Sequence, residues 1–335
     1  MRTRRFGRTG IQISEVVFGA GWVGGILIHQ DNDTKHQAFH RALEAGINWI
    51  DTAADYGKGE SERTIGSLME SLPTDARPRI STKARLDLTS SEALADQLRR
   101  SMEQSLERLR VDKVTLFQLH NPIAAENGGG RIAVDAVLGA GGVADALDRI
   151  REDGLCDHIG FTALGDPACC IQVVESGRFD SAQVYFNMLN PTAALAERGN
   201  LAVQDFSGLL AACARTDVAV MNIRVFAGGA LASDVRHGRE APITPDGTVE
   251  VEAKRAKAAL AVIDEQHGTR AQRALRFALA EPRVSGAVVG LAELSHLEEV
   301  LQAAENGPLP ESALAALRGV WDRNFGLASA PRSDG

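Results

Sequence analysis

A carboxylate that closes an apolar strand, followed five residues later by a tyrosine, is a pairing with the chemistry of proton transfer. It occurs in the segment Asn48–Gly66, NWIDTAADYGKGESERTIG, where Ile47, Trp49 and Ile50 lead into Asp51 and Tyr56 follows in a glycine-flanked loop. Tyrosine is scarce in this chain, which has only Tyr56 and Tyr185. Groups that do chemistry collect in loops just beyond buried strands. The alternative is that Asp51 caps a helix and Tyr56 packs a loop, and local spacing leaves both readings open.

The next two strand ends bear on that choice. RISTK ends on Lys83 and VTLFQLH ends on His120. Taken singly, Lys83 reads as a solvated strand end, His120 as a satisfied core histidine and Asp51 as a cap. Titratable residues at successive strand ends are hard to obtain by accident. Together they describe an acid catalyst. A phenol with a pKa of about 10 is a poor donor at neutral pH unless its surroundings are tuned. A nearby Lys83 ammonium favours phenolate and lowers that pKa, while Asp51 keeps the lysine charged and in place. His120, within reach of the same carbonyl oxygen, orients it.

The elements that must position these groups are short apolar strands alternating with amphipathic helices. The pattern predicts a small hairpin at Arg4–Phe6 with its turn at Gly7–Gly10, then strands Ile13–Phe18, Ile47–Thr52, Arg79–Lys83 and Val114–Leu119. The second half adds strands His158–Thr162, Ser181–Phe186, Val218–Ile223 and Gly286–Val289. Helices are expected at Thr34–Ala45, with Asp33 or Thr34 as cap, at Glu60–Leu72, and at Thr89–Leu109. In the last, Leu94, Leu98, Met102 and Leu106 make one apolar stripe. Further helices are expected at Val143–Asp153, Pro167–Ser176, Asp205–Arg215, Val251–His267 and Ala271–Ala280. Eight alternations fit an α/β fold of the (β/α)8 TIM-barrel type, with an N-terminal β-hairpin, better than an open sheet. A single domain over 1–325 is expected, with a poorly ordered tail at 326–335. Long Gly-rich stretches at 121–142 and 227–248 read as lids or binding loops.

Composition removes other classes. The 335 residues, 44% hydrophobic, are enough for a large core in one barrel or two medium domains. A net charge of −8 and no block of Lys or Arg argue against nucleic acid. No apolar run reaches the ~20 residues of a membrane span. The N-terminus lacks the apolar stretch of a secretory signal, and Cys156, Cys169, Cys170 and Cys213 show no framework spacing. Reduced thiols and a cytoplasmic setting are expected. His36 and His40 share a helix face but have no third ligand in view, so no metal is expected. Gly19-Ala20-Gly21-Trp22-Val23-Gly24 matches G-x-G-x-x-G, with Asp51 as the would-be ribose acid. The glycines run into a polar stretch, GILIHQDND, where a Rossmann unit opens a helix, so that reading is set aside.

At these residues the chain resembles the aldo-keto reductases. Arg5-Phe6-Gly7-Arg8-Thr9-Gly10, then Ile13-Ser14 and Phe18-Gly19, is similar to that family's opening; DTAADYGKGESERTIG, STK and FQLH are similar to its Asp–Tyr, lysine and histidine segments. The resemblance covers nearly the whole chain. It implies a barrel that binds nicotinamide cofactor without a Rossmann domain. It also implies Tyr56 as general acid, Asp51 and Lys83 as its tuning pair and His120 as carbonyl orienter.

Cofactor residues implied by the resemblance are Gly19, Thr162, Gln183, Arg224, Phe226, Gly228, Gly290, Glu293 and Glu299. Thr162-Ala163 stands where the family usually has Ser-Asn, keeping the hydroxyl and losing the amide; Gln183 fits the carboxamide-binding glutamine. The run Asn222–Gly229 replaces the family's aromatic-Ser-Pro-Leu and looks more like aldose-dehydrogenase-type members. Glu293 would repel a 2′-phosphate, so NAD(H) is expected over NADP(H). The expected substrate is a small polar carbonyl or polyol, with a general NADPH aldehyde reductase as the alternative, and Trp22 is expected to line its pocket or to pack the barrel mouth. Only 5% aromatic residues argue against a flat steroid pocket. A cofactor-sensing regulatory subunit is a different class, disfavoured because all four catalytic residue types are kept. Oligomeric state is not legible.

Overall fold

The architecture follows from strands whose alternate side chains fill a closed tube. The computed structural model describes residues 1–235, 238 and 247–327. Strands β1 (Thr3–Arg5) and β2 (Gln12–Ser14) form the antiparallel hairpin. They are followed by β3 (Val16–Gly19), β4 (Trp49–Asp51), β5 (Arg79–Ala84) and β6 (Val114–Leu119). A short pair, β7 (Ile123–Ala124) and β8 (Ile132–Ala133), precedes β9 (Cys156–Ala163), β10 (Ser181–Tyr185), β11 (Ala219–Ile223) and β12 (Gly286–Gly290). The parallel order β3-β4-β5-β6-β9-β10-β11-β12 closes on itself, as expected of a (β/α)8 TIM barrel.

Phe6, Ile13, Val17, Trp49, Leu116, Ala219 and Met221 form an apolar plug inside one end of the tube. Phe6 reaches it from the hairpin and tilts against Trp49, ring centroids 4.8 Å apart. The approach is tight: at Gly7, whose φ is +48°, a β-carbon would lie 2.5 Å from the Ala219 nitrogen. The hairpin thus closes the N-terminal end of the barrel. The other end stays available for chemistry.

The helices are α1 (Ile26–His29), α2 (Asn32–Glu44), α3 (Glu60–Glu70), α4 (Leu94–Leu109), α5 (Val134–Leu138), α6 (Val143–Glu152) and α7 (Pro167–Glu175). Then come α8 (Leu209–Thr216), α9 (Val249–Leu260), α10 (Arg270–Leu279), α11 (Leu294–Asn306) and α12 (Glu311–Trp321). Local chemistry sets their ends: Asp166 caps α7 ahead of Pro167, and Thr269 with Gln272 makes a capping box on α10. On α4, Leu98 and Met102 of the expected stripe are fully buried.

Several boundaries differ from expectation. The strand expected over Ile13–Phe18 is split at Glu15, whose buried carboxylate takes Arg2 at 2.9 Å and Arg4 at 3.6 Å. Helix α2 starts at Asn32, because Asp31 accepts from the Thr34 nitrogen at 2.9 Å and so becomes the cap in place of Asp33 or Thr34. The segment read as a polar turn holds the single turn α1. Helix α4 starts at Leu94 and not at Thr89, since Asp87 draws the Thr89 nitrogen (2.9 Å) and hydroxyl (2.6 Å) into a local turn. The 121–142 stretch is not a bare loop: it holds β7, β8 and α5. Buried Asn121 pins it, accepting from the Leu86 nitrogen at 2.7 Å and donating to the Gly130 carbonyl at 3.1 Å. The loop expected at 227–248 and the tail expected at 326–335 lie partly outside the described residues.

One buried charge outside the barrel ties α3 to its neighbours. Glu62 is fully buried; it accepts from Arg108 Nε at 2.6 Å and from the Thr82 hydroxyl at 2.5 Å. Arg108→Ala leaves that carboxylate without its cation, which costs roughly 3 kcal/mol. The urea midpoint should fall with the slope unchanged; an unaltered midpoint would remove this pair from the stability of the fold.

Candidate active site

Strand parity brings the sequence-selected residues to one place. Trp49 and Asp51 on β4, Ser81 and Lys83 on β5, Leu116 and Gln118 on β6 lie two residues apart, so each pair shares a face. The lower members Trp49 and Leu116 belong to the plug. The upper members form a polar layer above it.

Asp51 is the hub of that layer and is 3% exposed. Its Oδ2 takes Lys83 Nζ at 2.7 Å, and its Oδ1 accepts from the Ser81 hydroxyl at 2.7 Å and Gln183 Nε2 at 2.8 Å. Ser81 in turn accepts from the Trp49 indole at 3.0 Å, and Lys83 donates a second bond to the Thr52 carbonyl at 2.6 Å. Burial works against the Lys83 ammonium, but Asp51 and Tyr56 beside it more than offset that and hold its pKa above the ordinary lysine value.

Tyr56 enters from the loop after β4. The loop is anchored below it, with Thr52 and Ser61 hydroxyls 2.8 Å apart and Ser61 donating to the Ala20 carbonyl at 2.9 Å. Lys83 Nζ stands 5.0 Å from the centre of the Tyr56 ring. The His120 ring meets Tyr56 edge-on, centroids 5.8 Å apart. The four residue types therefore converge on one place.

One expectation is reversed. Lys83 pulls the Tyr56 phenol down, but burial pushes it up more strongly, with Asp51 and Asp55 adding to the rise. The net direction is upward. Burial also leads at His120 and lowers its pKa, against the opposing pull of Asp55.

The remaining selected residues are placed as follows. Thr162, in register with Gln183 on the neighbouring strand, has a buried hydroxyl without a hydrogen-bond partner among the described residues. Such an atom suits an incoming amide, so Thr162 and the free end of Gln183 fit a nicotinamide carboxamide. Gly19 is buried in β3 between Gly290 and Asp51, where a β-carbon would lie 2.8 Å from the Val289 carbonyl oxygen. Its size is thus already explained by strand packing. Arg224 (φ +60°), Ala227 (φ +48°) and Gly228 (φ +64°) give the segment after β11 a run of left-handed backbone beside half-buried Phe226. Glu293 is exposed at the start of α11; Glu299 is half-buried further along it. Trp22 is 47% exposed and meets His29 edge-on at 4.6 Å, so it does not pack a core at the mouth.

Ser81 and Asp55 were not selected from sequence. Ser81 was findable, two residues before Lys83 on the same strand face. Asp55 sits in an irregular loop where no periodicity applies; its Oδ1 lies 3.5 Å from His120 Nδ1. Elsewhere, the four cysteines are buried and free, with burial pushing Cys156 and Cys213 up to about 12. Among the described residues no three His, Cys, Asp or Glu side chains cluster for a metal, and no helix is long and apolar enough to cross a membrane.

A profile of the Aldo/keto reductase family matches residues 15–322. The chain is 29% identical over 162 residues to L-galactose dehydrogenase of Arabidopsis thaliana, a match covering 48% of each protein, so it spans about half that relative's length. It is 27% identical over 249 residues to D-threo-aldose 1-dehydrogenase of Pseudomonas sp, covering 67% of this chain and 69% of that one. Aldo-keto reductase AKR11C1 from Bacillus halodurans, in its holo form, has the same fold, with a TM-score of 0.74, 17% identity and full coverage of both chains.

Tyrosine content makes the ionisation of the site measurable. Tyr185 is buried and is pushed up to about 12. Fewer than half of the tyrosines should therefore be ionised at a pH of about 10, where exposed tyrosine is half ionised. In Lys83→Met the opposing ammonium is gone and Tyr56 should titrate higher still. A one-tyrosine step below that pH in the native protein would contradict the burial-dominated site.

Proposed function

This chain belongs to the aldo/keto reductase family, and on that premise we propose that it transfers hydride between NAD(H) and a small polar carbonyl or sugar-like alcohol. The observation that carries the reading is the convergence of Asp51, Lys83, Tyr56 and His120 above the barrel plug. The bound nicotinamide supplies or accepts the hydride. The protein's own residues handle the proton and the geometry.

Tyr56 is the proton donor in the reducing direction. Burial keeps the phenol protonated until it is needed, and Lys83, held charged by Asp51, stabilises the phenolate that donation leaves. That stabilisation grows as the proton departs, so it favours the transition state over the ground state. In the oxidising direction the same phenolate is the base. Thr162 and Gln183 are the residues suited to hold the carboxamide, Gln183 being fixed already by its bond to Asp51.

The adenosine end supports NAD(H). A 2′-phosphate needs a cation, and Glu293 offers a carboxylate at the start of α11. Arg41, an arginine brought to this helix, is taken by Glu298 through two bonds of 2.7 and 3.0 Å. The polyol reading is supported by the similarity to L-galactose dehydrogenase and D-threo-aldose 1-dehydrogenase.

Tyr56→Phe should reduce turnover by a factor on the order of 10² or more, with the dissociation constant of NADH nearly unchanged. Full turnover in that variant would take Tyr56 out of the mechanism. Binding titrations should show NADH tighter than NADPH, the reverse order overturning the role given to Glu293. A panel of aldoses with NAD+ and aldehydes with NADH tests the substrate class: turnover of aldehydes and of no aldose would favour a general aldehyde reductase.

A further inference from the structure

Asp55 and Arg85 form an ion pair at the rim of the site that the proton-transfer scheme above does not use. Arg85 follows Lys83 by two residues at the end of β5, and Asp55 precedes Tyr56, so the chain sets the pair beside two of the four converging residues. Arg85 Nε meets Asp55 Oδ2 at 3.3 Å, and the two side chains are 45% and 46% exposed. An ion pair that open contributes little to the stability of a fold. Its place is accounted for by what it faces.

Each partner keeps hydrogen-bonding capacity to spare. Burial alone would raise the Asp55 carboxyl, yet His120 and Arg85 bring it down to about 2, so it is ionised throughout the working range. An ionised carboxylate only accepts, through about four lone-pair sites. Asp55 Oδ1 has one long contact, 3.5 Å to His120 Nδ1. Arg85 carries five N–H donors, of which its bond to Asp55 uses one. The pair thus offers an acceptor and donors side by side, which suits a hydroxyl, a group that donates and accepts at once. An alkyl chain matches neither, and an anionic group drawn to Arg85 would meet the Asp55 charge beside it.

The position fits as well. An oxygen that takes its proton from Tyr56 lies beside His120, whose ring meets the phenol edge-on, and Asp55 stands at the Nδ1 side of that ring. We propose that the Asp55–Arg85 pair is a substrate subsite that binds the hydroxyl on the carbon next to the reacting one, with Asp55 Oδ1 accepting its hydrogen and Arg85 donating to its oxygen. The substrate class is then an α-hydroxy aldehyde or aldose, or the vicinal diol that it becomes on reduction. This rests on the catalytic site proposed above, and it deepens that reading by giving hydroxyl recognition to two named residues. An aldehyde without the neighbouring hydroxyl leaves the pair unmatched and loses that share of transition-state binding.

The test is kcat/KM for glyceraldehyde and for propanal, each with NADH, on the full-length protein. The native protein should prefer glyceraldehyde. In Asp55→Ala the glyceraldehyde-to-propanal ratio should fall about tenfold, the worth of one hydrogen bond to a charged group, and Arg85→Leu should lower it too. Asp55→Asn keeps an acceptor oxygen and should lie between, with a near-native NADH dissociation constant showing that each variant is folded. Asp55 also faces His120, so absolute rates change with it, but the ratio cancels whatever is common to both substrates. A ratio held at its native value in Asp55→Ala or in Arg85→Leu overturns the proposal, because a merely structural residue would slow both aldehydes alike. Saturation-transfer NMR with glycerol on the NAD+ complex reads the subsite without turnover: the native protein should give a signal that Asp55→Ala loses, and equal signals overturn the proposal. Failure of the native protein to turn over either aldehyde counts against the proposed function, while the glycerol signal still decides the subsite.

Discussion

A lysine ammonium 1% exposed cannot persist inside a barrel without a counter-charge, and the bond from Lys83 to Asp51 supplies it. Desolvating two ions costs several kcal/mol each, which their attraction offsets only when the remaining lone pairs and hydrogens are also satisfied. Asp51 meets that condition with three donors drawn from strands β5 and β10, on opposite sides of the polar layer. Removing one partner therefore does more than delete a bond. It leaves a buried charge without its counter-charge.

Much of the surrounding structure exists to keep that pair dry and placed. The hairpin carries Phe6 into the lower opening, and the plug beneath Asp51 denies solvent from below. The indole of Trp49 belongs to the plug and still donates to Ser81, so the apolar and polar layers are joined by one bond. Above the pair, the Tyr56 loop is held by hydroxyl contacts from Thr52 and Ser61. The phenol then sits between two opposed influences, burial that keeps it protonated and an ammonium that welcomes the phenolate. Asp55 adds a third charge, which opposes the burial-driven fall at the imidazole and adds to the rise at the phenol.

Strand ends and residue types made Asp51, Tyr56, Lys83 and His120 readable, because a parallel barrel sends every strand end to the same face. The number of strands and most helix cores were readable for a similar reason: burial imposes a period, and the period is local. Glu15 was not, since its split of the first strand depends on arginines that reach it in the folded chain. The late helices α11 and α12 follow the last barrel strand, where the alternation that guided the reading had ended. The direction of the Tyr56 shift was misjudged because a neighbouring lysine can be inferred from position, whereas the depth of burial is set by the whole assembly. Asp55 is not legible because the group it faces, His120, is 65 residues away in sequence.

The most direct test of the central claim is a crystal structure of the protein with NAD+ and a carbonyl-bearing substrate analogue. The expected result is an analogue oxygen about 3 Å from the Tyr56 hydroxyl, the carboxamide on Thr162 and Gln183, and Lys83 still bonded to Asp51. A cofactor seated away from the Asp51–Lys83 layer, or an analogue oxygen held by groups other than Tyr56, would contradict it.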